Sequence, residues 1–417
     1  MAEIRDKQIL YSPKRLVICE RRQENASKAT SIQGLTMLLR HAFESSSQTA
    51  SHGAMRVLAN AMLLNKSARQ LFVDRGYAPR ACEKLGDDES WDGEFLLSRM
   101  IFLTTYETSV SLAELLDKHQ LAQHIVGNLG KHAAILNSTS KPKTEMMEEM
   151  ALVETAKLLF NVTHFSGQHA SSFTPAIPHL AALLWKHDLP TTKPLDSGLS
   201  HITNGLLNLD FSAQEARSAL FPEDNPSKMA MRLIAILDRA MRSYDEIEMD
   251  VMVTPLIGLL IKLHEPAPSP TRTEMQKALL PTAEDREGVL GKGSNLPSRL
   301  LKSSTNPSTP KLGNSISHLL FDLSDKDASQ FVENVGYGYA SGFLFQNNIS
   351  IPESGSKAVA AGDGVGGQRA VNPITGQFLD TEKHADEPEM TQEEKEREAE
   401  RLFVLFERYV ASWPPLL

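Results

Sequence analysis

The sequence predicts an all-α fold built from repeated helical units, and three observations carry that reading. Apolar residues recur at three- and four-residue spacing almost throughout, no useful run alternates with period two, and a short apolar segment returns six times. Leu58, Ala61 and Met62, then Leu71 and Phe72, fall on helical faces. So do Leu96, Leu97, Ile101 and Leu103, and Leu152, Ala156, Leu159 and Val162. Ser212 to Glu215, Thr273 to Gln276 and Thr391 to Glu394 fit the capping-box pattern that marks helix starts. Prolines fall between helical stretches, at Pro175 and Pro178, Pro190 and Pro194, Pro222 and Pro226, and Pro266 to Pro270.

The recurring segment is an apolar triplet followed by a variable residue. It reads Val57 to Asn60, Met100 to Leu103, Leu158 to Asn161, Gly205 to Asn208, Leu259 to Lys262 and Leu319 to Asp322. Successive fourth positions are 43, 58, 47, 54 and 60 residues apart. Armadillo and HEAT repeats run at roughly 40–47 residues, and the longer intervals hold Pro- or Ser-rich insertions. The expected architecture is an armadillo/HEAT-like helical repeat superhelix, each unit burying one face against its neighbours. Asn returns three times at the fourth position. On a concave face its amide can bind a partner's backbone as donor and acceptor together; inside the stack it can equally tie off a neighbouring turn.

The array is expected over residues 1–347, with a flexible insertion at about 282–317 holding at most one short helix near Ser298 to Lys302. Residues 348–389, rich in Gly and Ala, are expected as a flexible linker. Residues 390–417 are expected as an amphipathic helix with Leu402, Leu405, Phe406 and Tyr409 on one face.

The 417 residues include 43 Lys and Arg against 52 Asp and Glu, a net charge of −9. That balance argues against a nucleic-acid binder with a basic surface. Ten acids and four bases between Asp380 and Arg401 supply −6 of it, so the rest is close to neutral. Cys19 and Cys82 cannot form a disulfide framework and read as reduced thiols. No run of 18 apolar residues suggests a membrane span, and the first residues lack the apolar core of a signal peptide. A cytoplasmic monomer is expected.

No catalytic constellation emerges. Gly336 to Gly342 has glycines reminiscent of a nucleotide loop, but no strand precedes it, so a tight turn with close helix packing is expected. Gly288 to Ser294 misses the phosphate-loop order, because Gly293 follows Lys292. The thirteen histidines form no clear metal-ligand spacing. No cofactor or metal is expected, and the default function is to bind another protein along a curved groove.

Four segments, in order, resemble the synembryn family, also called resistance to inhibitors of cholinesterase. They are Met55-Arg-Val-Leu-Ala-Asn-Ala61, Ala151 to Thr163 with its Lys157-Leu-Leu-Phe-Asn-Val-Thr163 core, Asn334 to Leu344, and Val371-Asn-Pro-Ile-Thr-Gly376 followed by Glu389 to Ala399. The resemblance implies an armadillo/HEAT-like protein that binds the α subunit of heterotrimeric G proteins, as exchange factor and folding chaperone. It implies that the concave face holds the Gα C-terminal helix and favours the nucleotide-free state, with recruitment to the plasma membrane through Gα. By the same resemblance Arg5, Asn60, Arg99, Asn161, Asn204 and Asn208 are Gα-contacting candidates.

The chain departs from the family pattern in three places. It starts where relatives already have several helices, Ser350 to Ser356 is less acidic than their phosphorylated loop, and Tyr409 to Leu417 does not continue their sequence. By the resemblance, the loop difference puts phosphorylation control in doubt, and the divergent end implies binding of the Gα tail with poorer nucleotide exchange. The competing reading is a helical-repeat scaffold that binds extended peptides without regard to nucleotide.

Overall fold

The computed structural model describes residues 31–137, 145–350, 369, 371–372, 374–382 and 397. Among these residues the regular structure is helical, with one isolated antiparallel bridge between Val371 and Phe378. In chain order the first helices are α1 (Ile32–Glu44), α2 (Gln48–Leu64), α3 (Lys66–Asp74), α4 (Tyr77–Asp87), α5 (Trp91–Thr104) and α6 (Leu112–Lys118). Then come α7 (Leu121–Asn137), α8 (Met146–Phe165), α9 (Ala176–Lys186), α10 (Leu199–Leu207), α11 (Gln214–Leu220), α12 (Lys228–Ser243) and α13 (Glu246–Met252). The last are α14 (Thr254–His264), α15 (Ser269–Leu279), α16 (Leu296–Ser304), α17 (Pro310–Leu323), α18 (Ala328–Val335) and α19 (Tyr337–Gln346).

These helices stack in two rows. The first row runs α2, α5, α8, α10, α14, α17, each packed on the next. The second runs α4, α7, α9, α12, α15 and backs the first, α4 on α5, α7 on α8, α9 on α10, α12 on α14 and α15 on α17. All six recurring segments fall in the first row. The sequence repeat is thus one continuous line of helices, an all-α armadillo/HEAT-like stack. Helix α8 shows why its residues are apolar on several sides: α5, α7 and α10 all pack on it, and Leu158, Leu159, Val162 and Ala156 are fully buried.

Small polar side chains start many helices. Ser31, Ser47, Ser90 and Ser111 each accept from a backbone N–H three residues on, as does Asp327. The capping box belongs to Asp245 and Glu248. Two expected capping boxes are corrected. Ser212 bonds Asp210 before α11 starts at Gln214, and Thr273 lies inside α15, because the chain already turns helical at Ser269 after Pro266 and Pro268. The third, at Thr391, lies outside the described residues.

The expected flexible insertion at 282–317 is also corrected. It contains α16 and the first half of α17, with Leu290, Leu300, Leu301, Leu312 and Ile316 buried. Its Ser, Asn and Pro residues act as helix starters rather than as a flexible filler. Asn295 caps α16, Pro297 and Pro310 sit in first turns, and Asp250 accepts from the N–H groups of Lys311 and Leu312.

Part of the expected linker is ordered as well. Residues 371–382 fold back on the array as a closed turn. Asn372 N–H donates to the Gln377 carbonyl at 2.8 Å, and the Asn372 side chain accepts from Ile374 N–H at 2.8 Å. Arg286 clamps the turn, donating to the carbonyls of Gly376 at 2.8 Å and Asn334 at 3.0 Å. Gly338 N–H donates to the Ile374 carbonyl at 3.0 Å. Gly336, at φ +82°, makes the tight start of α19; a Cβ there would meet backbone atoms of Ile374 to Gly376 at 3.0–3.1 Å. The glycine motif is therefore a turn with close packing. The expected helix at 390–417 lies outside the described residues except Arg397.

Candidate functional site

Each first-row helix buries two or three sides and leaves one stripe open, at helical spacing. On α2 the stripe holds Arg56, Val57 and Asn60, all exposed. On α5 it holds Phe95, Arg99 and Phe102; on α8, Val153, Lys157, Phe160 and His164; on α10, His201 and Asn204. Gly258, Ile261 and Lys262 continue it on α14; on α17 His318 and Phe321 are instead packed against Phe343 of α19. The face is aromatic and aliphatic, with cations set among the rings.

Its most organised point lies between α5 and α8. Arg99 and Lys157 both reach the same oxygen of Glu154, at 2.9 and 3.0 Å. Glu154 is 3% exposed, so it anchors two partly exposed cations from beneath. Arg99 also lies 5.7 Å from the centre of the Phe95 ring. Behind them Thr155 donates to Glu94 at 2.7 Å, His132 from α7 meets Glu94 at 3.0 Å, and Ser98 meets Thr155 at 3.1 Å. This buried network fixes the angle between α5 and α8, and so the spacing of the open groups. Half-buried His201, beside Lys157, is pushed down to about 4, first by burial and then by that charge. It is neutral at pH 7 and available as a donor or acceptor. Lys262 has its basicity lowered by burial; it donates to the Leu207 carbonyl at 2.6 Å and lies 4.8 Å from the Phe211 ring centre.

At the N-terminal end, His52 sits between Asp88 at 2.9 Å and Asp92 at 3.0 Å, and Arg56 reaches Asp92 at 2.5 Å. Burial raises Asp88, but hydrogen bonds from Ser90 and His52 outweigh it and hold the carboxyl below its usual range. These pairs brace α2, and with it Asn60, against the start of α5.

The sequence-expected residues separate into three groups. Asn60, Arg99 and Asn204 lie on the open stripe. Asn161 and Asn208 are committed to the stack. Asn161 donates to Thr105 Oγ1 at 2.7 Å, beyond the end of α5, and Asn208 donates to the Phe160 carbonyl at 3.0 Å in α8. Lys262 repeats the pattern toward α10, so at three of the six segments the fourth position ties a rung to the one before it. Arg5 lies outside the described residues. Glu154, Lys157, Phe95 and Phe160 were missed. The i, i+3 step from Glu154 to Lys157 was legible, but the burial of Glu154 was not. Among the described residues no three His, Cys, Asp or Glu groups gather to hold a metal, and no helix is long and apolar enough to cross a membrane.

A family profile described as the guanine nucleotide exchange factor synembryn matches residues 14–412. The chain is 27% identical over 332 residues to a synembryn-like chaperone of Schizosaccharomyces pombe, covering 75% of this chain and 61% of that protein. It is 23% identical over 381 residues to the chaperone Ric-8A of Macaca fascicularis, covering 85% and 70%. It is 24% identical over 397 residues to the chaperone Ric-8A of Xenopus laevis, covering 86% and 70%. The chain thus spans less than two thirds of the fission-yeast relative. A designed armadillo repeat protein superposes with a TM-score of 0.44 at 13% identity, over 69% of this chain and 99% of the design.

Proposed function

The chain belongs to the synembryn family, and from that premise we propose that it binds the α subunit of heterotrimeric G proteins as an exchange factor and folding chaperone, without covalent chemistry of its own. The Gα C-terminal helix lies along the open face of the first row. A helix presents apolar side chains at i, i+3 and i+4 and unsatisfied carbonyls at its C-terminal end. The open stripe offers rings for the former, and for the latter it offers Asn60, Arg99, Lys157 and Asn204. Asn161 and Asn208 act behind the face, holding the rungs in register. The action is exerted in the cytoplasm, at the membrane where Gα resides.

Holding the Gα helix away from the GTPase core favours the open, nucleotide-free state. By linkage nucleotide then binds the complex more weakly, and GTP expels the factor. The same binding protects a nascent α subunit before nucleotide has closed it. The single observation that supports this most is the family match across residues 14–412.

The test is GDP release from a purified Gα subunit with this chain, with Asn60→Ala and with Lys157→Ala. Acceleration by the wild type that falls about tenfold in either variant, at unchanged melting temperature, is the expected outcome. Binding of the Gα C-terminal peptide without acceleration reduces the function to its chaperone half. Binding of neither peptide nor Gα overturns the reading and leaves the nucleotide-independent scaffold.

A further inference from the structure

Two buried glutamates lie at the junction of α5 and α8, and they serve different sides of it. Glu94 takes its contacts from residues as buried as itself, Thr155 of α8 at 2.7 Å and His132 of α7 at 3.0 Å. It ties three helices together from inside the stack. Glu154 is equally buried, but one of its oxygens accepts from the open stripe: from Arg99 of α5 at 2.9 Å, and from Lys157, one turn along α8, at 3.0 Å. Its other oxygen is buried and meets no hydrogen-bond partner among the described residues. The Arg99 and Lys157 side chains are 23% and 30% exposed, so they stand between the buried carboxylate and the groove. Taking a carboxylate out of water costs about as much as such a pair returns, and a leucine of similar volume would pack α5 on α8 at least as well. Stability does not account for Glu154.

We propose that Glu154 is a positioning residue for binding of the Gα helix: it touches no part of the partner, and it holds Arg99 and Lys157 where both meet the carbonyls at the end of that helix. The inference rests on the reading of the open face as the Gα-helix site. Long cationic side chains lose rotamer freedom when a partner orders them, and a carboxylate beneath them removes most of that loss beforehand. The Phe95 ring, 5.7 Å from the Arg99 guanidinium, confines it on the other side. Each cation spends one donor on Glu154 and keeps the rest for the groove. Two cations on one carboxylate leave a single net positive charge at this point of the face, which suits the negative end of a helix dipole.

Binding of a labelled peptide carrying the Gα C-terminal helix to the full chain tests this, followed by anisotropy alongside the melting temperature. Glu154→Leu is expected to weaken binding about tenfold without lowering the melting temperature, because both cations can turn to water. Glu154→Gln keeps the shape and one acceptor oxygen and should fall between the two. Lys157→Met alone should also cost about tenfold, but in the Glu154→Leu background less than about twofold more, since the lysine is then no longer held in place. Equal peptide binding by wild type and Glu154→Leu overturns the proposal and leaves the assignment of the face intact. Additive losses in the double variant overturn it, as does a melting temperature that falls together with affinity in both Glu154 variants, which makes the residue a part of the stack. A wild-type chain that binds no peptide overturns the assignment of the face and this inference with it.

Discussion

Between α5 and α8 two long helices meet along their length, over a buried network of Glu94, His132, Ser98 and Thr155. At the other end of the row, α19 is held to the chain by a turn delivered from residues 371–382, through Arg286 and two glycines. The first junction is made of repeated parts, and its strength is spread over many buried side chains. The second adds to the packing of Phe343 and Leu344 a clamp made by single residues, Arg286 and glycines that leave no room for a Cβ. Repeat packing therefore tolerates variation in the loops between rungs, whereas the end of the array rests on a few backbone-specific positions.

The largest expected effect tests the first junction. Leu159 is fully buried in α8, and its Cδ2 lies 3.3 Å from where a Cβ on Gly205 of α10 would stand. Leu159→Ala is expected to cost about 3–4 kcal/mol by urea unfolding, with exchange rising through α5, α8 and α10 and not in the 371–382 turn. Equal loosening at both ends would erase the contrast.

Gly336→Ala tests the second junction. The residue would sit at φ +82° with its Cβ against backbone, a strain of about 2–3 kcal/mol. Exchange should rise at 374–382 and at the start of α19 while α5 and α8 stay protected. Loss of protection along the whole row would mean that the turn governs the array.

A pH series sharpens the picture at the rung between α8 and α10. His201 is held near 4 in the folded chain by burial and by Lys157, and near 6.5 when unfolded. Below 6.5 the unfolded state takes up a proton that the folded state refuses, so stability falls as pH falls. The loss is about 2 kcal/mol by pH 5 and ends below 4. His201→Gln should remove that component, read as a flatter urea midpoint between pH 7 and 5.

The smallest effect separates a tie from a contact. Asn208→Ala removes the inter-helix donor to the Phe160 carbonyl, which keeps its bond from Thr163 Oγ1, and should cost about 1 kcal/mol, whereas exposed Asn60→Ala should leave the melting temperature unchanged. If Asn208→Ala costs nothing, the fourth position is not a structural tie.

The helical period and the six recurring segments determined the all-α stack, because a face buried against a neighbour must repeat its apolar residues at helical spacing. They also picked out the helices that form the first row. The sequence misread residues 282–317, since Ser, Asn and Pro serve helix starts and loose loops alike, and only burial of Leu300, Leu312 and Ile316 distinguishes the two. Composition likewise hid the turn at 371–382, whose partner Arg286 is some ninety residues earlier. The roles of the asparagines were decided by the tertiary structure alone. Asn60 and Asn161 occupy the same place in the repeat, yet one faces solvent and the other meets Thr105. A side chain's use depends on what the neighbouring rung places within hydrogen-bond reach, and that distance is set by packing between segments far apart in the chain.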